Sequence, residues 1–382
     1  MAAKNNPDVL VVGGGLIGCS IALRLAQAGL CVQVYERGEP GCGASGAGAG
    51  MIAPDSETAE PKAFYTLCAR SRDLYTAFAA EIEELSGQRV EFHADGTVVA
   101  AFDEGEVVEL RRVYEARKKE GLAIERLSSE EARQRVPCLS AAVREAIVLA
   151  GESRIDNEFL VAALVEACRR AGVIFHTHST VNRFIARDGA VESVEVDGTP
   201  ATACVAGTFV LAAGAWCADL ATSAQMRVPV IPCRGQLIEF EGAANFSTTL
   251  RAGHHYLVSR SGGRLLAGSI MEYAGFENAV TGEGLISILK AAERIAPCVK
   301  QLRFRRAWAG FRPDTPDHLP ILGYGEYRNL VFAAGHFRNG ILLTPVTAQL
   351  ISELILRGSA SQPLDPYSPT RFQSSCSAGS AV

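Results

Sequence analysis

The chain has 382 residues, 48% of them hydrophobic and 21% charged, with a formal net charge of −5. That length exceeds the roughly 100–200 residues typical of one domain, so two domains are expected, and the balance is that of an ordinary globular protein. No Lys/Arg-rich face marks a nucleic-acid binder, and no run of about 18 apolar residues marks a transmembrane helix. Eleven cysteines, scattered through apolar stretches without a C-x-x-C pair, point to a reducing cytoplasm and to neither a disulfide framework nor a metal site.

In chain order, Val9 to Val12 reads as a buried parallel strand. The glycine turn Gly13-Gly14-Gly15-Leu16-Ile17-Gly18 follows, and then a helix ending at Gly29. A second strand runs from Cys31 to Tyr35 and closes on Glu36-Arg37. Leu16 to Cys19, after the single basic Lys4, also has the form of a lipoprotein cleavage box. The strand, turn and helix explain the same residues more fully. Gly41 to Gly50 carries little side-chain bulk, as a loop or a helix start.

Phe64 to Leu85 has helical spacing, Glu104 to Glu120 is a charged helix, and Ser128-x-x-Glu131 is a capping box. Asp156 is a candidate cap for a helix through Arg170. Val173 to Val196 holds two or three strands with a turn at Arg187-Asp188-Gly189. Thr208 to Ala212 is apolar, a turn begins at Ala213-Gly214-Ala215-Trp216, and Val228 to Phe240 is a candidate strand pair. Ser261-Gly262-Gly263 joins a hairpin, and Gly284 to Ala296 is a helix stopped by Pro297. A last strand, Asn329 to Ala333, leads through a loop to the helix Pro345 to Arg357, with Thr344 as its N-cap. The Ser/Pro/Gly-rich tail beyond is expected to be loose.

Gly13, Gly15 and Gly18 give the G-x-G-x-x-G spacing between a strand and a helix. Glycine there allows a tight turn, close approach of a pyrophosphate, and close helix packing. The helix N-terminus favours phosphate charge, and Glu36 ends the second strand where a carboxylate can accept from ribose hydroxyls. The motif does not separate NAD from FAD.

Four blocks carry a more specific signal: Gly-Ala-Gly-Met (48–51), His-His-Tyr-Leu-Val (254–258), Trp-Ala-Gly-Phe-Arg-Pro (308–313) and the eleven residues 333–343. With them, the chain resembles the D-amino-acid oxidase superfamily of flavoproteins from residue 8 to about 357, and within it the glycine oxidases of the thiamine-pathway type. The resemblance implies an α/β fold: a Rossmann-like FAD-binding domain (1–62, 145–225 and 305–360), an antiparallel-sheet substrate-binding domain (63–144 and 226–304), and a flexible tail (361–382). It also implies FAD in an extended pose and a homo-oligomer. Leu16 and Ile17 would lie on the pyrophosphate turn, and Glu36 and Arg37 at the adenosine end. Ala44, Ser45, Ala49, Gly50 and Met51 would line the path to the flavin, and Val181 would offer its backbone to the adenine. Gly214 and Trp216 belong to the strand-end turn near the cofactor. His336, Phe337, Arg338, Asn339, Gly340, Ile341 and Leu342 would wrap the flavin ring. Ala44 stands where a hydroxyl residue is usual, so one phosphate contact is in doubt.

On the substrate side, a zwitterionic amino acid needs a fixed cation for its carboxylate, and Arg supplies two parallel hydrogen bonds. By resemblance Arg312 takes that role, Tyr256 shares the carboxylate, Arg338 lies close to substrate and flavin, and His254 and Met271 stand on the pocket wall. The implied reaction is hydride transfer from the α-carbon of a small amino acid (glycine, sarcosine or a small D-amino acid) to flavin N5, with oxygen or another electron acceptor restoring the flavin. The alternatives are a D-amino-acid dehydrogenase, a sarcosine oxidase-like enzyme, or the FAD subunit of a heteromeric amine oxidase. Sarcosine oxidases carry flavin on a Cys in the stretch matching 308–315; this chain has none there, which favours noncovalent FAD. A flavin disulfide reductase would need two cysteines after the second strand, where Cys42 stands alone.

Overall fold

The computed structural model describes residues 6–57, 61–197, 204–242 and 246–372. Two large sheets organise it. The first has six strands in the order Ile321–Tyr324, Leu330–Ala334, Thr208–Leu211, Val9–Val12, Val32–Tyr35 and Ile174–His176. All its pairs are parallel except the edge strand Ile321–Tyr324, which runs antiparallel to its neighbour. Val9–Val12 is buried throughout, as a central strand covered on both faces must be. The helices Leu16–Gln27, Asn157–Arg170 and Thr344–Arg357 pack with Lys62–Ser86 into one core on one side.

The second sheet has eight strands, in the order Arg303–Asp314, Ile231–Glu241, Arg264–Gly268, His255–Arg260, Thr249–Ala252, Thr97–Ala101, Glu145–Leu149 and Ile124–Ser128. It is antiparallel apart from the pairing of Thr249–Ala252 with Thr97–Ala101. The architecture is thus an α/β Rossmann-like unit joined to a sheet of mainly antiparallel strands.

Local chemistry accounts for several element ends. Asp156 caps Asn157–Arg170 by accepting from the amides of Glu158 and Phe159. Ser128 and Glu131 form the reciprocal capping box. Asp188 and Gly189 both have positive φ, the conformation of a tight hairpin turn.

Four expectations are corrected. Val228 to Phe240 is not a strand pair: Ile231–Glu241 is one eleven-residue strand, because its only glycine, Gly235, continues the ladder opposite Gly310 and makes no turn. Strands Glu145–Leu149 and Arg303–Asp314, which divisions at 145 and 305 would put with the cofactor sheet, pair in the eight-stranded one. Thr344 is the first helical residue and not the cap; Leu343 precedes it, and the Thr344 hydroxyl donates back to Gly340 O at 2.9 Å. The tail is ordered as far as 372: Tyr367 is buried and donates to Ala63 O at 3.1 Å, and Arg371 pairs with Asp317 at 2.8 Å. Residues 373–382 lie outside the described residues.

Candidate active site

One cavity of about 680 Å³ runs between the two sheets. At its first end, Gly13 (φ +109°) ends a strand and leaves no room for a side chain, since a Cβ there would stand 2.4 Å from Ala212 O. Gly15 at the N-cap has no side chain with which to cap the first helix, and that N-terminus faces the cavity. The Gly14 amide donates to Glu36 Oε2 at 2.7 Å, and the Leu16 amide donates to Ser45 Oγ at 3.0 Å. Arg37 lies over the Trp216 ring at 3.3 Å, and Trp216 stacks on Phe276.

The small-residue stretch after Glu36 crosses the middle of the cavity as a short helix, Ala44–Ala47, and an extended segment. Such a chain has no bulk of its own to hold it, and buried polar side chains do so instead. Asn157 Nδ2 donates to the carbonyls of Ser45 and Gly46, at 2.8 and 2.9 Å. Arg260, 6% exposed, donates to Ile155 O, Ala49 O and Asn157 Oδ1. Burial pulls its guanidinium down to about 10, against the opposing charge of Asp156. The close packing around Arg260 also explains Gly50: its φ is +72°, and a Cβ would sit 1.9 Å from Ile155 O.

At the far end, the strand Leu330–Ala334 delivers Gly335 and His336 to the wall. His336 is buried, its Nε2 is 3.1 Å from Thr347 Oγ1, and burial pulls its pKa down to about 3, so the imidazole is neutral. The long helix Lys62–Ser86 pins the turn that follows: Tyr75 donates to Ile341 O at 2.9 Å and Ser71 to Leu342 O at 2.6 Å.

The eight-stranded sheet supplies the remaining wall. Arg312 lies flat against Gly235, where a Cβ would come within 2.2 Å of its Nη1. Its Nη2 donates to Ser269 Oγ at 2.7 Å and its Nη1 to Ile270 O at 3.1 Å. No ion pair joins it to a carboxylate among the described residues. The Tyr256 ring covers Gly268, which has space for nothing larger than hydrogen. His254 and Met271 reach the wall from exposed positions.

Of the residues singled out in the sequence, this cavity gathers Gly13, Gly15, Leu16, Ile17, Glu36, Arg37, Ala44, Ser45, Ala49, Gly50, Met51, Val181, Gly214 and Trp216 from one side. It gathers His336, Phe337, Arg338, Gly340, Ile341, His254, Tyr256, Met271 and Arg312 from the other. Three do not reach the wall. Gly18 serves packing, with a Cβ position only 2.0 Å from Gly13 O; Asn339 and Leu342 are buried, the latter within the helical core. Sequence reading missed Arg251, His255, Ser269 and Ser287 on the wall. Alternation groups His254 with Tyr256 and points His255 the other way, and nothing local flags the others.

A profile described as FAD dependent oxidoreductase matches residues 8–354. The chain belongs to that family. It is 34% identical over 368 residues to a glycine oxidase of Geobacillus kaustophilus, covering 95% of this chain and 97% of that one. It is 30% identical to a glycine oxidase of Bacillus subtilis, covering 94% and 95%. The crystal structure of the Geobacillus glycine oxidase matches the fold with a TM-score of 0.91 at 32% identity, over 96% of this chain and 99% of that one. This FAD-dependent oxidoreductase is therefore an enzyme whose cofactor is FAD.

The residues fit that group. A helix N-terminus beside a glycine turn suits a pyrophosphate, and a long cavity with small residues along its middle suits an extended dinucleotide.

Beside the wall that the eight-stranded sheet supplies lies a buried carboxyl group. Glu152 is fully buried, accepting from the Ser56 amide at 2.6 Å and the Ser56 hydroxyl at 3.0 Å. Burial pushes its carboxyl up to about 7. A folded-state pKa above that of the open chain means stability that is full below about 4.5 and lost as pH rises through about 7, worth on the order of 3 kcal/mol for a buried group. Glu152→Gln should therefore destabilise the protein less at pH 8 than at pH 5. Thermal melts of both proteins across that range test this, and parallel Tm curves would refute it.

Proposed function

We propose that the enzyme catalyses the oxidative deamination of a small amino acid such as glycine, sarcosine or a small D-amino acid. The observation that carries this reading is Arg312: a guanidinium on the cavity wall, held by Ser269 Oγ and Ile270 O and joined to no carboxylate among the described residues. A fixed, planar cation of this kind recognises a carboxylate by charge-assisted hydrogen bonds. Tyr256, on the same wall, has a hydroxyl to share that carboxylate.

When bound, FAD supplies the acceptor for the electron pair of the Cα–H bond. The contribution of the protein is orientation: two groups on the carboxylate fix which face of the α-carbon is presented. The amine must be neutral for the C–H bond to break. The wall near Arg312 carries no carboxylate among the described residues, so no side-chain base is assigned and solvent takes the proton. The backbone amides of Gly340 and Ile341, on the cavity wall ahead of the helix Thr344–Arg357, would stabilise negative charge arriving at that end. The lack of cysteine in 308–315 supports noncovalent FAD.

The test is an anaerobic titration of the purified yellow protein with glycine and then D-alanine. Bleaching of the visible bands by either supports the reading. Return of colour in air separates an oxidase from a dehydrogenase. A spectrum unchanged by any small amino acid overturns the substrate class.

A further inference from the structure

Gly235 stands inside the strand Ile231–Glu241, opposite Gly310 of Arg303–Asp314. A glycine within a strand weakens it, since it brings no packing and gives up the most conformational freedom on folding. Backbone geometry does not ask for one here. Its φ lies outside the left-handed region, and the ladder with Arg303–Asp314 runs without a shift from Ile231 to Glu239. The three atoms nearest to a Cβ placed at 235 all belong to the Arg312 guanidinium: Cζ and Nη2 at 2.6 Å, and Nη1 closer still.

Strand register explains the encounter. Arg312 is opposite Cys233, so Gly235 is its diagonal neighbour on the same face of the sheet, within reach of a long side chain. Arg312 thus crosses the strand Ile231–Glu241 over Gly235 and reaches the chain on its other side. There the pairing passes from Leu237 with Gly268 to Arg234 with Glu272, three steps along one chain against four along the other, and the extra residue makes a bulge. Ser269 Oγ and Ile270 O, which accept from the guanidinium at 2.7 and 3.1 Å, lie in that bulge. The same device recurs beside it: Gly268 is opposite Tyr256, and the Tyr256 ring lies over it.

We infer that Gly235 is a positioning residue for substrate binding, acting through Arg312: its missing side chain opens a passage across the sheet in which the arginine lies flat, anchored on the bulge, with N–H donors left on the cavity wall for a carboxylate. This rests on the reading of Arg312 as the carboxylate anchor. An arginine has five N–H donors, and the two anchors do not exhaust them. A free arginine would lose rotamer entropy on meeting a substrate; one already laid in a passage has lost it on folding. A methyl at 235 closes the passage. The guanidinium is the end of a flexible chain, so it gives way while the sheet stays, and it leaves its anchors and the carboxylate seat together.

The experiment is a double-variant cycle of Gly235→Ala and Arg312→Ala in the FAD-loaded full chain, read by kcat and KM for glycine (D-alanine if only that one is turned over) and by Tm. Gly235→Ala should stay yellow and raise KM about 10- to 100-fold, the range of a charge-assisted hydrogen bond, with kcat changed less. In the Arg312→Ala background the same methyl should lower kcat/KM no further, because the group it displaces is gone. The Tm should fall on Gly235→Ala in the wild type, where two anchors break. It should stay level or rise in the Arg312→Ala chain, where the change only restricts the unfolded state. A methyl that narrowed the cavity or disturbed the strand would act in both backgrounds, so equal effects with and without Arg312 overturn the assignment, as does an unchanged KM. Should Gly235→Ala fail to fold, a folded double variant supports the assignment and an unfolded one overturns it. A wild type that neither glycine nor D-alanine reduces sinks the amino-acid reading, and the Tm cycle alone then decides whether Gly235 seats Arg312.

Discussion

Replacing Arg312 by Ala is expected to lower kcat/KM for the amino-acid substrate by about 10²- to 10⁴-fold while the protein stays yellow. The substrate carboxylate would enter a cavity from which its counter-ion has gone, and leaving a desolvated charge unpaired costs about 3–5 kcal/mol. The loss should fall mainly on KM, since binding is what the guanidinium supplies. Arg312→Lys should recover little, because an ammonium cannot reproduce two parallel bonds. FAD should remain bound, since the Gly-rich turn and the 44–51 segment line the cavity independently of Arg312, which is held by Ser269 and Ile270. Steady-state kinetics with an absorbance spectrum of each variant decide the matter. An Arg312→Ala enzyme with unchanged KM, or one that loses its colour, would falsify the assignment.

The second large effect is expected at Gly18. An added methyl would stand 2.0 Å from Gly13 O and 3.2 Å from Val11 Cγ1, both parts of the strand and turn beneath the first helix. Backbone cannot yield as a flexible side chain can, so the helix must back away, at a cost of about 1–3 kcal/mol or more. The same retreat moves its N-terminus off the pyrophosphate seat. Gly18→Ala should therefore purify largely colourless, with FAD affinity down by at least about 100-fold and a lower Tm. Gly282→Ala is the control, because a methyl there meets nothing within 4 Å. FAD titration by fluorescence quenching gives the affinities. Equal affinity in Gly18→Ala and the control would show that the turn does not seat the cofactor.

Gly18 also shows where sequence motif and cavity wall part. Its spacing identifies it as one of the three glycines of the turn, yet in the fold it serves helix packing and not the wall. Asn339 and Leu342 are similar. They lie in a block that is unmistakable as a string of residues, but a 3₁₀ turn at Phe337–Asn339 and the anchors Ser71 and Tyr75 rotate those two inward. Membership of a motif does not specify the direction of a side chain; the backbone path and its tertiary anchors do.

What the amino-acid order alone determined about this protein is whatever acts within a few residues. The Asp156 cap, the Ser128–Glu131 box, the Asp188-Gly189 turn and the strand–glycine–helix unit were readable because each depends on groups no more than a turn apart. The family signature blocks brought Arg312, Tyr256 and the nucleotide turn into one list. Only the tertiary structure decided that Ile231–Glu241 is a single strand, since its eleven-residue ladder with Arg303–Asp314 joins residues far apart in the chain. It alone decided that the tail packs to residue 372, through Tyr367 on Ala63 and Arg371 on Asp317. It alone joined Arg251 through Ser56 to the buried Glu152, three residues from segments far apart in the chain, whereas the pairing of Arg251 with Tyr256 follows from the two-residue hairpin turn between them.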